Sequence, residues 1–182
     1  PPYLYGAFGD YVYIEPFIPV LKLPEHLTPE EMVMIEPLDV AVHVWARALA
    51  SSNASYASEG VDPSQTLVIM GSGPIGMSAL TVALVNGMGK VVMIDPIQER
   101  LDVAKKLGVK HTINPKDFDT IEKRRKEIED LTYGVGADVV IEAAGEVPAF
   151  EESFKLLRRG GTLVEMGHFT YTGDATVSPR KA

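Results

Sequence analysis

Thr66 to Asp95 reads TLVIM, GSGPIG, MSALTVALVNGMG, KVVMI, D. A short apolar run, a glycine turn, an apolar helix and a second apolar run closing on an acid follow one another in the order that a dinucleotide-binding βαβ unit requires. Each glycine has its own task. Gly71 lets the chain turn sharply off the strand, Gly73 removes the Cβ that would keep a pyrophosphate away from the backbone, and Gly76 lets the helix sit close. Pro74 stands in the first turn, where a missing N–H costs nothing, and the helix from Ile75 to about Asn86 turns its positive end toward the phosphates. Asp95 closes the second strand. A carboxylate there accepts the ribose hydroxyls of NAD and repels a 2′-phosphate, so NAD is the expected cofactor rather than NADP.

The composition limits the other classes of function. A length of 182 residues allows one domain with an appendage, and 46% apolar content is enough to build a core for it. No apolar run is long enough to span a bilayer and no signal-peptide pattern opens the chain, so no membrane partner and a cytoplasmic location are expected. The net charge of −8, with acids spread along the chain, argues against a nucleic-acid partner. The single basic run, Lys123 to Lys126, lies in a helical pattern with Ile121, Ile128 and Leu131 and reads as a solvated face. There is no cysteine, which excludes disulfides, a thiolate nucleophile and cysteine–zinc ligation within these residues. The chain starts at Pro1 without an initiator Met, as expected of part of a longer polypeptide.

Around the βαβ unit the remaining elements fall into order. Gly9 to Leu23 is rich in Tyr, Val and Ile, and Pro16 and Pro19 divide it into short edge-like strands. Thr28, Pro29 and Glu31 form a capping box that starts a helix; Pro37 is expected to end or kink it. A second helical stretch puts Ala41, Val44, Trp45 and Ala48 on one face, and His43 between two valines reads as a packing residue. Ser51 to Gly60 is small and polar, a loop. After Asp95, Pro96 opens a helix with Ile97, Leu101 and Ala104 inward; His111 to Asn114 is a third strand; Asp119 and Glu122 cap the basic helix. ADVVIEAAG (Ala137 to Gly145) and GGTLVEMG (Gly160 to Gly167) have the near-continuous apolar character of buried parallel strands, with a helix from about Pro148 to Arg158 between them. The expected fold is α/β, a doubly wound parallel Rossmann sheet with five of its six strands present, preceded by a short β-rich N-terminal segment.

Five blocks together carry a resemblance: IEPLDVAVH (Ile35 to His43), VIMGSGPIGM (Val68 to Met77), MIDPIQERLDVAKKLG (Met93 to Gly108), GADVVIEAAG (Gly136 to Gly145) and LLRRGGTLVEMG (Leu156 to Gly167). In order and spacing they resemble the zinc-dependent medium-chain alcohol and polyol dehydrogenases, of the medium-chain dehydrogenase/reductase class, most closely the sorbitol and threonine dehydrogenase branch. The resemblance implies that residues 1–35 are the end of a GroES-like catalytic domain and 36–182 a Rossmann cofactor domain incomplete at its C-terminus. It implies a catalytic zinc whose other ligands lie outside this chain, a homo-oligomeric whole protein, and no activity for the 182 residues alone.

The same resemblance assigns roles to single residues. It puts Glu36 at the zinc, as ligand or as partner of a zinc-bound water or hydroxyl; as a bare sequence feature Glu36 is only a helix-end carboxylate before Pro37. Asp39 stands where that family usually has a small residue. Arg100, five residues after Asp95, matches an arginine on the adenosine ribose. Met166, Gly167 and His168 follow the fifth strand, where ligands bind in doubly wound sheets, and the family lines its nicotinamide there with backbone groups. The expected cofactor-binding set is therefore Gly71, Gly73, Pro74, Ile75, Gly76, Asp95, Arg100, Met166, Gly167 and His168, with Glu36 as the catalytic and metal-site candidate. The expected function is hydride transfer between NAD and the secondary alcohol of a polyol, sugar or amino-acid alcohol. A zinc-free quinone-reductase-like oxidoreductase and a non-catalytic NAD-binding module are the alternatives, the first disfavoured by Glu36–Pro37 and by the NAD-type acid.

Overall fold

The computed structural model describes residues 8–51, 64–167 and 173–178. The expected loop after Ser51 and residue His168 lie outside them. The chain divides into two compact units, Pro1–Met34 and Ile35–Ala182.

In the first unit the capping box forms as the sequence implies. Thr28 takes the Glu31 N–H on its side chain, Glu31 takes the Thr28 N–H, and Pro29 opens α1 (Pro29–Met32). The strands expected in Gly9 to Leu23 do not form: the segment has bends and one turn but no strand. Tyr11, Phe17 and Leu21 are exposed, and a β pattern without a partner strand has nowhere to place its hydrogen bonds. The helix break also falls earlier than expected. α1 stops at Met32 and α2 (Ile35–Ser51) begins before Pro37, which then occupies the first helical turn, where its missing N–H is harmless.

The second unit is a parallel sheet of β1 (Thr66–Met70), β2 (Lys90–Ile94), β3 (His111–Ile113), β4 (Ala137–Glu142) and β5 (Leu157–Glu165). Its order is β3-β2-β1-β4-β5. The chain moves outward through β2 and β3, then crosses back to pair β4 with β1, which leaves the topological switch point between β1 and β4. Between the strands run α3 (Pro74–Val85), α4 (Gln98–Lys106), α5 (Ile121–Leu131) and α6 (Val147–Leu156).

Alternation along the strands sorts the core into two layers. Leu67, Ile69, Val91, Met93, Val139 and Ile141 pack with Ala41, Val44 and Trp45 of α2, Leu80 and Ala83 of α3 and Leu101 of α4. Val68, Met70, Val92, Ile94 and Val140 face the other way, onto Ile128 of α5 and Leu156 of α6. The sheet is thus covered on both sides, which is why its strands read as apolar runs rather than as alternating ones. Three local expectations are corrected. Ile97 is not inward but caps α4 from a partly exposed position. The cap of α5 is Thr120, whose side chain takes the Lys123 N–H, while Asp119 instead pairs with the Lys123 ammonium. His43 is exposed and accepts from Arg47 Nε at 3.5 Å, so it is no packing residue.

Candidate functional site

Three backbone hydrogen bonds carry the ladder one residue past the strand ends. Gly71 N–H donates to Ile94 O at 2.8 Å, Ala143 N–H to Met70 O at 2.8 Å and Asp95 N–H to Ile113 O at 3.2 Å. The turns after β1, β2 and β4 therefore leave the sheet at one level, and between them lies a cleft of about 510 Å³, a size suited to a small-molecule ligand. Gly71, Gly73, Pro74, Asp95 and Arg100 line it, with Ala143 and Ala144 from the far side of the switch point.

The glycine turn behaves residue by residue as its chemistry demands. Gly71 has φ +93°, and a Cβ there would press on the Ala143–Ala144 peptide at 2.9 Å. A Cβ on Gly76 would run into the Gly71 carbonyl, so the close approach that Gly76 permits is of helix to turn more than of helix to sheet. Gly73 differs. Its φ is −72° and nothing lies within 4 Å of its Cβ position, so the fold itself does not require glycine there. The space it leaves open faces the cleft and fits a group brought against the backbone. Gly73 is the N-cap of α3 and supplies no side chain to its first turn, so the N–H groups at Ile75 and Gly76 remain for a ligand anion.

Asp95 is buried, and its carboxylate is the hub of the cleft wall. One oxygen accepts the Ser72 N–H at 2.7 Å and the other the Ile97 N–H at 2.7 Å, while the Arg100 guanidinium stands 3.8 Å away. The acid thus ties the glycine turn to the start of α4, a role the sequence did not reveal, and keeps spare lone pairs for a ribose. The basic run also departs from expectation. Lys123, Arg125 and Lys126 make exposed pairs one helical turn apart, but Arg124 is buried on the cleft with Glu152 of α6. Its Nε and Nη2 bind the two Glu152 oxygens at 2.6 and 2.5 Å and Nη1 donates to Phe118 O. The Glu152 carboxylate raises the Arg124 pKa above its ordinary value against the opposing effect of burial.

Met166 and Gly167 lie beyond the end of β5; they are not among the residues that line the cleft, but the Gly167 backbone packs against Gly145, next to the cleft-lining Ala144. Met166 N–H donates to Glu142 O at 3.0 Å and Gly167 N–H to Glu165 Oε1 at 2.8 Å. Glu142, which the sequence reading passed over, is completely buried at the end of β4, and its Oε1 accepts the N–H groups of Ala144 and Gly145 at 2.7 and 3.0 Å. The signal was present, since a charge closing an apolar run such as ADVVI needs a reason to be there. Glu36 stands in the first turn of α2, exposed, as does Asp39 on the next turn. No group of three histidine, cysteine, aspartate or glutamate side chains suited to a metal ion occurs among the described residues, so Glu36 does not form a zinc site with them.

An open cleft at the switch point, a glycine turn on a helix N-terminus and a buried acid at the end of β2 define a Rossmann dinucleotide-binding domain. Residues 74–181 match the model of the zinc-binding dehydrogenase family, and the chain belongs to that family. It is 36% identical to D-xylulose reductase A of Aspergillus niger over 92% of its length and 43% of the relative's. To the sorbitol dehydrogenase of Bacillus subtilis it is 35% identical over 89% of its length and 41% of the relative's. The chain therefore spans less than half the length of these relatives. Among solved structures, the apo form of zinc dependent alcohol dehydrogenase 2 from Streptococcus pneumonia aligns with a TM-score of 0.65 at 34% identity, over 78% of this chain and 37% of that one. The rspB alcohol dehydrogenase of E. coli CFT073, complexed with NADH, aligns with a TM-score of 0.71 at 25% identity, over 88% and 42%.

Proposed function

We propose that this chain is the NAD-binding part of a zinc-dependent oxidoreductase that moves hydride between a secondary alcohol, of a polyol class, and NAD. The observation that carries the reading is the open space at Gly73, beside the first turn of α3 in the cleft that Asp95 also lines. The N–H groups at the start of α3 hold the pyrophosphate, Asp95 accepts from the adenosine ribose, and Arg100 closes over the same edge. When bound, NAD supplies the hydride acceptor; the chain's own residues bind and orient it. The names of the relatives, a xylulose reductase and a sorbitol dehydrogenase, support a polyol as substrate.

In this reading residues 1–35 close the catalytic domain and 36–182 form the cofactor domain. The exposed Tyr11, Phe17 and Leu21 are the kind of apolar surface that another part of a protein covers. Glu36 is assigned to the catalytic zinc only as one partner among ligands from elsewhere, and Met166, Gly167 and His168 to the nicotinamide. No helix among the described residues is long and apolar enough to cross a membrane. A cytoplasmic location and a homo-oligomeric assembly complete the proposal, checked by fractionation and light scattering of the whole protein. The deciding experiment titrates NAD and NADP into that protein. Binding of NAD at least roughly 100-fold tighter, about 2.7 kcal/mol, supports the reading, and equal affinities overturn the role of Asp95.

A further inference from the structure

Glu142 at the end of β4 and Glu165 at the end of β5 are paired across the parallel ladder, so their side chains leave the sheet on the same face. Their carboxyl groups are therefore neighbours, and each acts on the protonation of the other. Two carboxylates offer acceptors and no donor, so the pair can hydrogen-bond only while one of them carries a proton. Burial places the proton on Glu142: desolvation above all, with the neighbouring Glu165 charge, pushes its pKa up to about 7 against the opposing Ala144 and Gly145 N–H groups. Glu165 on β5 is the charged side chain acting on it, β1 sets the neutral Met70 opposite, and the loop after β4 brings backbone amides.

The pair joins two loops. Glu142 holds the Ala144–Gly145 turn, Glu165 holds the Gly167 amide, and the two backbones touch so closely that a Cβ on Gly167 would strike both Glu142 Oε2 and Gly145 N. In a doubly wound sheet a dinucleotide lies across the switch point with one nucleotide over each half. Asp95 marks β2 as the adenosine side, which leaves the β4 and β5 ends for the other half. We propose that Glu142 and Glu165 are positioning residues that, by sharing one proton, hold the Ala144–Gly145 turn and the Met166–Gly167 backbone in the form that receives the nicotinamide half of the cofactor. The proposal rests on the reading of the cleft as an NAD site. Once the proton leaves, two like charges face each other, Glu142 completely buried and Glu165 exposed, and the loops part.

The test compares NADH with ADP-ribose, which keeps the adenosine and both phosphates but lacks nicotinamide. Dissociation constants are measured on the whole protein at about pH 6 and about pH 8.5, for the native sequence and for Glu165→Gln, whose amide donates without titrating. NADH is expected to bind about 3- to 10-fold more weakly at the higher pH while ADP-ribose changes less than about twofold, and Glu165→Gln is expected to abolish the difference. Equal pH responses of the two ligands, or a response that survives in Glu165→Gln, overturn the proposal. A second measurement needs no variant: calorimetry in buffers of different ionisation heat is expected to show proton uptake above pH 7 with NADH and none with ADP-ribose. Uptake that is absent or equal for both overturns it as well. Failure of ADP-ribose to bind removes the cofactor reading itself and this inference with it, whereas ADP-ribose binding without the nicotinamide-specific response removes this inference alone.

Discussion

Arg124 of α5 grips both carboxylate oxygens of Glu152 on α6, at 2.6 and 2.5 Å, with each side chain less than a tenth exposed. The two helices that cover one face of the sheet are thereby joined at the wall of the cleft. Arg124→Met leaves an unpaired buried carboxylate and is expected to cost about 3–5 kcal/mol, whereas the double variant Arg124→Met/Glu152→Leu recovers much of the loss. Urea unfolding of the two single variants and the double variant reads the coupling. Additive losses would mean that the pair is solvated in solution.

The glycines of the turn separate folding from binding. Gly71→Ala and Gly76→Ala force a Cβ against backbone and are expected to destabilise the fold by about 1–3 kcal/mol or more. Gly73→Ala meets no atom at a φ of −72° and is expected to change stability by less than about 0.5 kcal/mol while weakening NAD at least roughly tenfold. Thermal unfolding and NAD titration, run side by side, distinguish them. An alanine at Gly73 that binds NAD normally would show that the backbone there does not meet the pyrophosphate.

Asp95 has two tasks that substitutions can separate. Asp95→Ala removes the acceptor from the Ser72 and Ile97 N–H groups as well as from a ribose, so it is expected to lose about 1–3 kcal/mol of stability and to narrow the preference for NAD over NADP. Asp95→Asn keeps an oxygen for one amide and carries no charge toward a 2′-phosphate, so it should narrow the preference at less cost to the fold. The measurements are unfolding free energies and the ratio of the two dissociation constants. A preference unchanged in both variants would place discrimination elsewhere.

Stability should fall as pH rises through the range governed by Glu142. Its folded pKa, about 7, lies above the ordinary value of 4.5 from which it departs, so the native state holds a proton that the unfolded chain releases. This contribution is complete below about pH 4.5, declines as pH rises and is gone above about pH 7. Glu142→Gln is expected to flatten that part of the profile. Unfolding midpoints recorded across the window check it, and an unchanged slope would mean that another group carries the proton.

The parts of this protein that obey a local rule were legible in the chain. TLVIM and ADVVI are apolar without alternation because a parallel sheet covered on both faces asks that of its strands, and GSGPIG stands where a strand must turn into a helix. The Thr28–Glu31 capping box is equally local and formed as read. Ala41, Val44, Trp45 and Ala48 were legible as one buried face because a helix repeats every 3.6 residues. The strands expected in Gly9 to Leu23 failed for the converse reason, since β character in a sequence becomes a strand only when a partner supplies the ladder.

Tertiary structure alone decided which charges are buried and with whom. Arg124 stands between Lys123 and Arg125 in a run that looks like a solvated face, yet the 3.6-residue period turns it toward α6, where Glu152 waits 28 residues later. Glu142 and Glu165 lie at the ends of separate strands and become neighbours through the register of β4 with β5, which no local pattern encodes. Asp95 was legible as an acid at a strand end, but its bonds to Ser72 and Ile97 depend on three turns leaving the sheet at one level. Sequence periodicity determines which face a residue occupies. The ion pairs and carboxyl contacts that shape this cleft need two distant segments brought within a few ångström of each other, and only the packed sheet and its helices do that.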